Sequence, residues 1–188
     1  MINYKLLGTT IFATSVLLGA CGEEQATKEN KSETTAKKVE KEQTKKEDVK
    51  TGLKDNTAVL DDINVKVLET EFIPKGTYEG QDKDQLGIIY EVKNKSDKEI
   101  DAISGWLAVF EATQDIKDTV HKLNVGGLPN LEKYTPFLDT QLDTIKKDGT
   151  LKNGIAYDLE DTTTPVILKA TKGVNGEKLG EIKVNIEK

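Results

Sequence analysis

Ile63, Val65 and Val67 alternate with Asp62, Asn64 and Lys66, the pattern of a strand with one face buried and one in water. Beyond Val67 the phase slips by one residue, and Leu68, Thr70 and Phe72 carry the alternation on. One extra residue in an antiparallel pair has this effect, so a β-bulge is expected near Leu68. The same period runs through Leu86, Ile88, Tyr90 and Val92 to the turn-forming Asn94-Lys95-Ser96-Asp97, and through Trp106, Ala108, Phe110 and Ala112 to Gln114-Asp115. Further strands are expected over 151–159, 166–171 and 179–186, the last two joined as a hairpin across Gly173-Val174-Asn175-Gly176. Short strands at this spacing predict a mainly β chain, folded as an antiparallel β-sandwich.

The span from Ile116 to Ile145 is the least regular. Gly126-Gly127-Leu128-Pro129 breaks the chain, Leu131 to Tyr134 is compatible with a helical turn, and the whole reads as a connection crossing between sheets. Irregular connections also carry binding sites more often than strands do.

Upstream of Thr57 the composition changes. Between Gly22 and Lys50 stand eight acidic residues and eight lysines, with Val39 and Val49 the only branched aliphatics and no aromatic. Such a stretch buries too little apolar surface to offset chain entropy. Residues 21–56 are therefore expected to form a disordered Lys/Glu/Thr-rich tether, and residues 57–188 one domain. As a flexible coil the tether reaches about 30 to 35 Å. A charged single helix is the alternative there, although i,i+4 pairs such as those within 37–42 contribute only a few tenths of a kcal/mol each.

At the N-terminus, Met1 to Lys5 is weakly basic and Leu6 to Leu18 is apolar. The run is too short for comfortable passage across about 30 Å of hydrocarbon, so residues 1–20 are expected to be a signal peptide. Leu18-Gly19-Ala20-Cys21 resembles the lipobox of bacterial lipoproteins: a large aliphatic residue three before the cysteine, with small residues between. The resemblance implies cleavage before Cys21, lipid on its thiol, and attachment to the extracellular face of the cell membrane. Two acyl chains are an adequate anchor at about 0.8 kcal/mol per buried methylene. Cys21 is the only cysteine. Once it is acylated, no thiol remains for a disulfide, a metal site or a nucleophile.

Residues 57–188 carry 24 acidic residues and 17 lysines, a net charge of 17 minus 24, or −7, and the chain has no arginine. Bidentate phosphate and guanine contacts are thus missing, and the excess of acid repels polyanions, which argues against nucleic acid as a partner. Catalytic groups are sparse. His121 is the single histidine, and no serine carries the context of a triad. Zinc needs three or four nitrogen or sulfur ligands, so no metal or cofactor is expected. Asp82-Lys83-Asp84 before Gly87 begins like a calcium loop, but Leu86 and Lys93 stand where oxygen ligands are needed. Asp158, Glu160 and Asp161 cluster at a strand end, as paired glycosidase carboxylates do, and also as solvated turns do.

Three stretches in this order, 63–72 (INVKVLETEF), 87–97 (GIIYEVKNKSD) and 145–150 (IKKDGT), resemble the telokin-like, immunoglobulin-like domains of unknown function in lipoproteins and secreted proteins of Gram-positive bacteria. The resemblance implies a β-sandwich at the cell surface and supplies no catalytic residue. The chain lacks the cysteine pair of true immunoglobulin domains, which leaves Trp106 as a core residue by expectation.

The expected function is a noncatalytic extracytoplasmic module that binds a protein, a peptide or a wall component. A small hydrolase using loop carboxylates is the rival, and demands at least two converging carboxylates with raised pKa. A third reading makes the signal segment 12–19 the source of a peptide pheromone.

Overall fold

The computed structural model describes residues 50–188. The signal segment 1–20, the lipobox residues Leu18, Gly19 and Ala20, the anchor Cys21 and the tether up to residue 49 lie outside the described residues. Ordered pairing begins before Thr57. Strand β1 (Gly52–Lys54) turns back into β2 (Thr57–Val59) through Asp55 and Asn56, which have φ of 49° and 60°. Two successive residues with positive φ match the twist of a tight hairpin, and Asp and Asn tolerate them. Among the described residues strand pairing thus begins at Gly52, before Thr57, because a local turn extends the sheet into a compositionally polar stretch.

Strand β3 (Ile63–Ile73) pairs with β4 (Gln85–Asn94), and the register shifts between Val67 and Glu69. The bulge expected at Leu68 is present. Before it, Ile63, Val65 and Val67 face the core; after it, Phe72 packs against the core. The strand expected through Trp106, Ala108, Phe110 and Ala112 begins only at Phe110: Trp106 and Ala108 belong to helix α1 (Ala102–Val109), which passes directly into β5 (Phe110–Ile116). Asp101 caps the helix: its two carboxylate oxygens accept the N–H and the hydroxyl of Ser104, each at 2.7 Å. The buried residues Ala102, Gly105, Trp106 and Val109 follow an i, i+3, i+4, i+7 spacing, the stripe of a core-facing helix. This stripe, with the cap before it, overrides the apparent period of two. Gly105 lets the helix close onto the sheet, since a Cβ there would lie 2.9 Å from Ile63 Cδ1.

β5 turns into the short exposed strand β6 (Thr119–Lys122), missed in the sequence because none of its four residues is buried. The chain then crosses to the other sheet through a 3-10 turn (Thr135–Phe137) and continues as β7 (Thr150–Asp158), β8 (Val166–Thr171) and β9 (Lys178–Val184). β8 and β9 form the expected hairpin. One sheet has the order β1-β2-β3-β4-β7 and the other β6-β5-β8-β9. Every strand pair among the described residues is antiparallel, and the fold is a mainly β antiparallel sandwich.

Trp106 is fully buried in the main core, its ring centroid 4.6 Å from Tyr90 and 4.7 Å from Phe110. A second apolar cluster lies on the outer face of the larger sheet. There the crossover lays Tyr134, Leu128 and Phe137 over Gly87 and Gly154, with Ile73 beside them. A Cβ on Gly87 would stand 2.2 Å from Tyr134 Oη, so the glycines are what let the crossover lie flat.

Candidate functional site

The three residues of β2 reach only Asn64 to Lys66 of β3, and one further bond, from the N–H of Val67 to the carbonyl of Asn56, ends the contact. Beyond the bulge β3 is paired with β4 alone. In an antiparallel strand alternate residues turn both backbone groups to the same side, so half of the groups over 68–73 face away from β4 with no strand opposite them among the described residues. β9 is the edge of the other sheet, and near its start β1 closes the gap, with Leu53 packed against Gly180. Past that closure the two edges leave a groove of about 600 Å³, walled by Leu68, Thr70 and Phe72 on one side and by Ile182, Val184 and Glu187 on the other. The site is therefore made by a mismatch of strand lengths: eleven residues in β3 against three in β2.

Charge at the outer lip comes from Glu69 and Glu71, which the bulge places on the face opposite Phe72. Lys133 from the crossover bridges both, at 3.2 Å from Glu71 and in closer contact with Glu69. Burial works against the Lys133 ammonium, but the two carboxylates outweigh it and hold its pKa above the ordinary value. Burial also pushes the neighbouring Tyr134 phenol well up, and Glu71 adds to the shift. Glu71 Oε1 is buried with no hydrogen-bond partner among the described residues. The crossover is thereby tied to the lip of the groove.

Of the carboxylates singled out from the sequence, those of Asp161 and Asp158 are held in two separate hydrogen-bond networks. Asp161 Oδ1 accepts the N–H groups of Thr163 and Thr164, both at 2.7 Å, and Oδ2 accepts the Thr164 hydroxyl at 2.8 Å. The Thr164 N–H, followed by that of Thr163, holds the Asp161 carboxyl well below its ordinary 3.8, the opposite of what a general acid needs. Glu160 takes part through its N–H, which donates to Gln114 Oε1 at 2.9 Å. Asp158 accepts from Gln85 Nε2 at 2.9 Å, and Gln85 in turn accepts from the Tyr78 hydroxyl at 2.6 Å. Gly126 stands over this chain, where a Cβ would lie 2.5 Å from Gln85 Nε2. That glycine is thus a packing requirement, which the sequence signals only as a chain break.

Asp161→Ala is expected to lower folding stability at pH 7 by about 1–2 kcal/mol, the scale of losing hydrogen bonds to a charged group. A carboxylate with a depressed folded pKa stabilises above its unfolded value and loses that contribution as pH falls through the folded one, so the deficit should shrink below about pH 4. Denaturant melts of both proteins at pH 7 and at about pH 2.5 read this directly. An equal deficit at both values would rule out the ionised carboxylate as what holds this turn.

His121 lies exposed on β6, its Nε2 2.8 Å from the Thr119 hydroxyl rather than near a serine and an acid. Asp84 accepts the N–H of Lys75 at 2.8 Å and the Lys83 carbonyl accepts from Gln81 Nε2 at 3.0 Å, so that segment's oxygens close the β3–β4 connection. Among the described residues no cluster of three or more His, Cys, Asp or Glu side chains is placed to hold a metal.

A candidate lipoprotein from Staphylococcus aureus is similar to this chain at 25% identity, with a TM-score of 0.62 over 71% of this chain and 90% of that one. A protein from Enterococcus faecalis, solved by NMR, shares the fold at 14% identity and a TM-score of 0.56, covering 72% of this chain and 93% of its own. No functionally curated protein matches. Residues 23–172 fit the family described as a domain of unknown function, DUF5067, and the chain belongs to that family.

Proposed function

We propose that this protein is a lipoprotein held on the extracellular face of the cell membrane through Cys21, and that its domain, of the telokin-like, immunoglobulin-like kind, is a noncatalytic binding module for a protein, peptide or wall component. The open edge of β3 beyond Leu68 is the observation that carries the binding reading. Unpaired strand edges recruit extended partners by backbone hydrogen bonds. The Staphylococcus aureus neighbour, described as a candidate lipoprotein, supports the anchored reading. So does the match of Leu18, Gly19 and Ala20 to a lipobox. Among the described residues no helix is long and apolar enough to cross a membrane. The reading includes no cofactor and no nucleic-acid partner.

Cys21→Ala is expected to move the protein out of the mature, detergent-phase membrane fraction, leaving it released or as the unprocessed precursor. Phase separation of fractionated cells reads this, and unchanged partitioning of processed protein would sink the anchor at Cys21. Residues 50–188 immobilised on resin, with a heat-unfolded sample as control, test the module. Enrichment of one protein or wall fragment from envelope extract supports it, and its absence counts against it.

A further inference from the structure

Five residues of β3, from Leu68 to Phe72, line the groove and span about 17 Å of edge, since a strand rises roughly 3.3 Å per residue; at Ile73 the carbonyl is already taken by Gln81 Nε2 at 3.2 Å. On the core side this edge stands over hydrophobics that are only partly covered: Phe72 and Ile182 pack against the core without being buried in it. On the outer side stand Glu69 and Glu71, whose two negative charges are met by the single charge of Lys133. The far wall adds Glu187 and Lys183. Among the described residues the opening is thus a vacant strand position, with Phe72 and Ile182 on its inner side and an acidic outer face.

Charge selects the occupant. A second copy of the chain, pairing edge to edge about a two-fold axis, would set Glu69 and Glu71 against the same residues of its mate, and like charges across an antiparallel pair are destabilising. An acidic peptide meets the same repulsion. Resting on the binding-module reading above, we propose that the groove accepts an extended peptide segment as an added strand on β3. Its side chains alternate: apolar ones turn inward over Phe72 and Ile182, and lysine or arginine turns outward toward Glu69 and Glu71. Backbone bonds to β3 supply attraction that is independent of sequence, and the two faces supply the selection.

The test uses the full chain in detergent and the synthetic peptide acetyl-Lys-Val-Lys-Val-Lys-Val-amide, compared with its block isomer acetyl-Lys-Lys-Lys-Val-Val-Val-amide. Both carry the same charge and apolar content, but only the first alternates. Hydrogen exchange with the first should slow about tenfold or more in the segment covering 68–72, as expected when edge amides become paired. The block isomer should bind at least about fivefold more weakly, because its faces do not sort. Glu69→Gln with Glu71→Gln should weaken the alternating peptide about two- to fivefold, the range of exposed ion pairs. Protection elsewhere, no protection at millimolar peptide, or equal binding of the two isomers would overturn the assignment. Envelope capture that persists in that outcome overturns the β3 edge alone, whereas loss of all capture strikes the binding module itself.

Discussion

Trp106→Ala is expected to remove about 3–5 kcal/mol of folding stability, the range for deleting a large aromatic side chain from a packed core. Trp106 is fully buried between Tyr90 and Phe110, and its Nε1–H donates to the Tyr157 hydroxyl at 2.8 Å. Burial has already pushed the Tyr157 phenol up to about 12, with the Trp106 bond acting against the shift. Truncation therefore opens a cavity and also orphans a buried hydroxyl. Domains of this size have only about 5–15 kcal/mol in total, so the midpoint should drop by roughly 10–15 °C. Thermal melts followed by far-ultraviolet circular dichroism measure it. Trp106→Phe keeps most of the volume and should lose clearly less. A Trp106→Ala midpoint within two or three degrees of the parent would mean that the aromatic cluster does not hold the core together.

Gly154→Val should be the next most damaging change, and its damage should be local. A Cβ at residue 154 would stand 2.8 Å from Tyr134 Cδ1 and 3.0 Å from both Leu128 Cδ1 and Phe137 Cδ2. Three side chains of the crossover would have to rise off the sheet together. Overpacking of this kind costs about 1–3 kcal/mol. It should also break the contact of Lys133 with Glu69 and Glu71, since Lys133 adjoins Tyr134 in the chain. Faster hydrogen exchange confined to 126–137 is the expected signature. Gly127→Ala is the control, because nothing lies within 4 Å of a Cβ at Gly127, and exchange there should not change. Comparable acceleration in both variants would mean that the crossover is not fastened through the glycine floor.

Much of the sandwich is legible in the residues. The slip of phase after Val67 announces the bulge, and the Gly173 to Gly176 turn announces the last hairpin, because each signal is local and exacts one geometry. Trp106 and Ala108 mislead for an equally local reason: over four positions a helix stripe and a strand alternation share members, and Asp101 followed by Ser104 is the cue that separates them. β6 has no apolar face to read, and β1 hides in polar sequence with only Asp55-Asn56 to mark its turn. The groove is illegible for a different cause. Its walls lie more than a hundred residues apart, on β3 and β9, and its opening depends on where β2 stops, which is a tertiary fact.

β1 and β2 are three residues each, and β1 is the outermost strand of its sheet. If the chain is anchored at Cys21, the covalent path from the anchor reaches the described residues at Lys50, two residues before β1. Load arriving at the end of a short edge hairpin opens its ladder one bond at a time instead of shearing all of them together. β1 and β2 should therefore peel away first, at low force, while Trp106 and the main core stay folded. Each residue of β2 that leaves uncovers another residue of β3, so traction on the anchor would lengthen the same free edge that the resting fold exposes beyond Leu68.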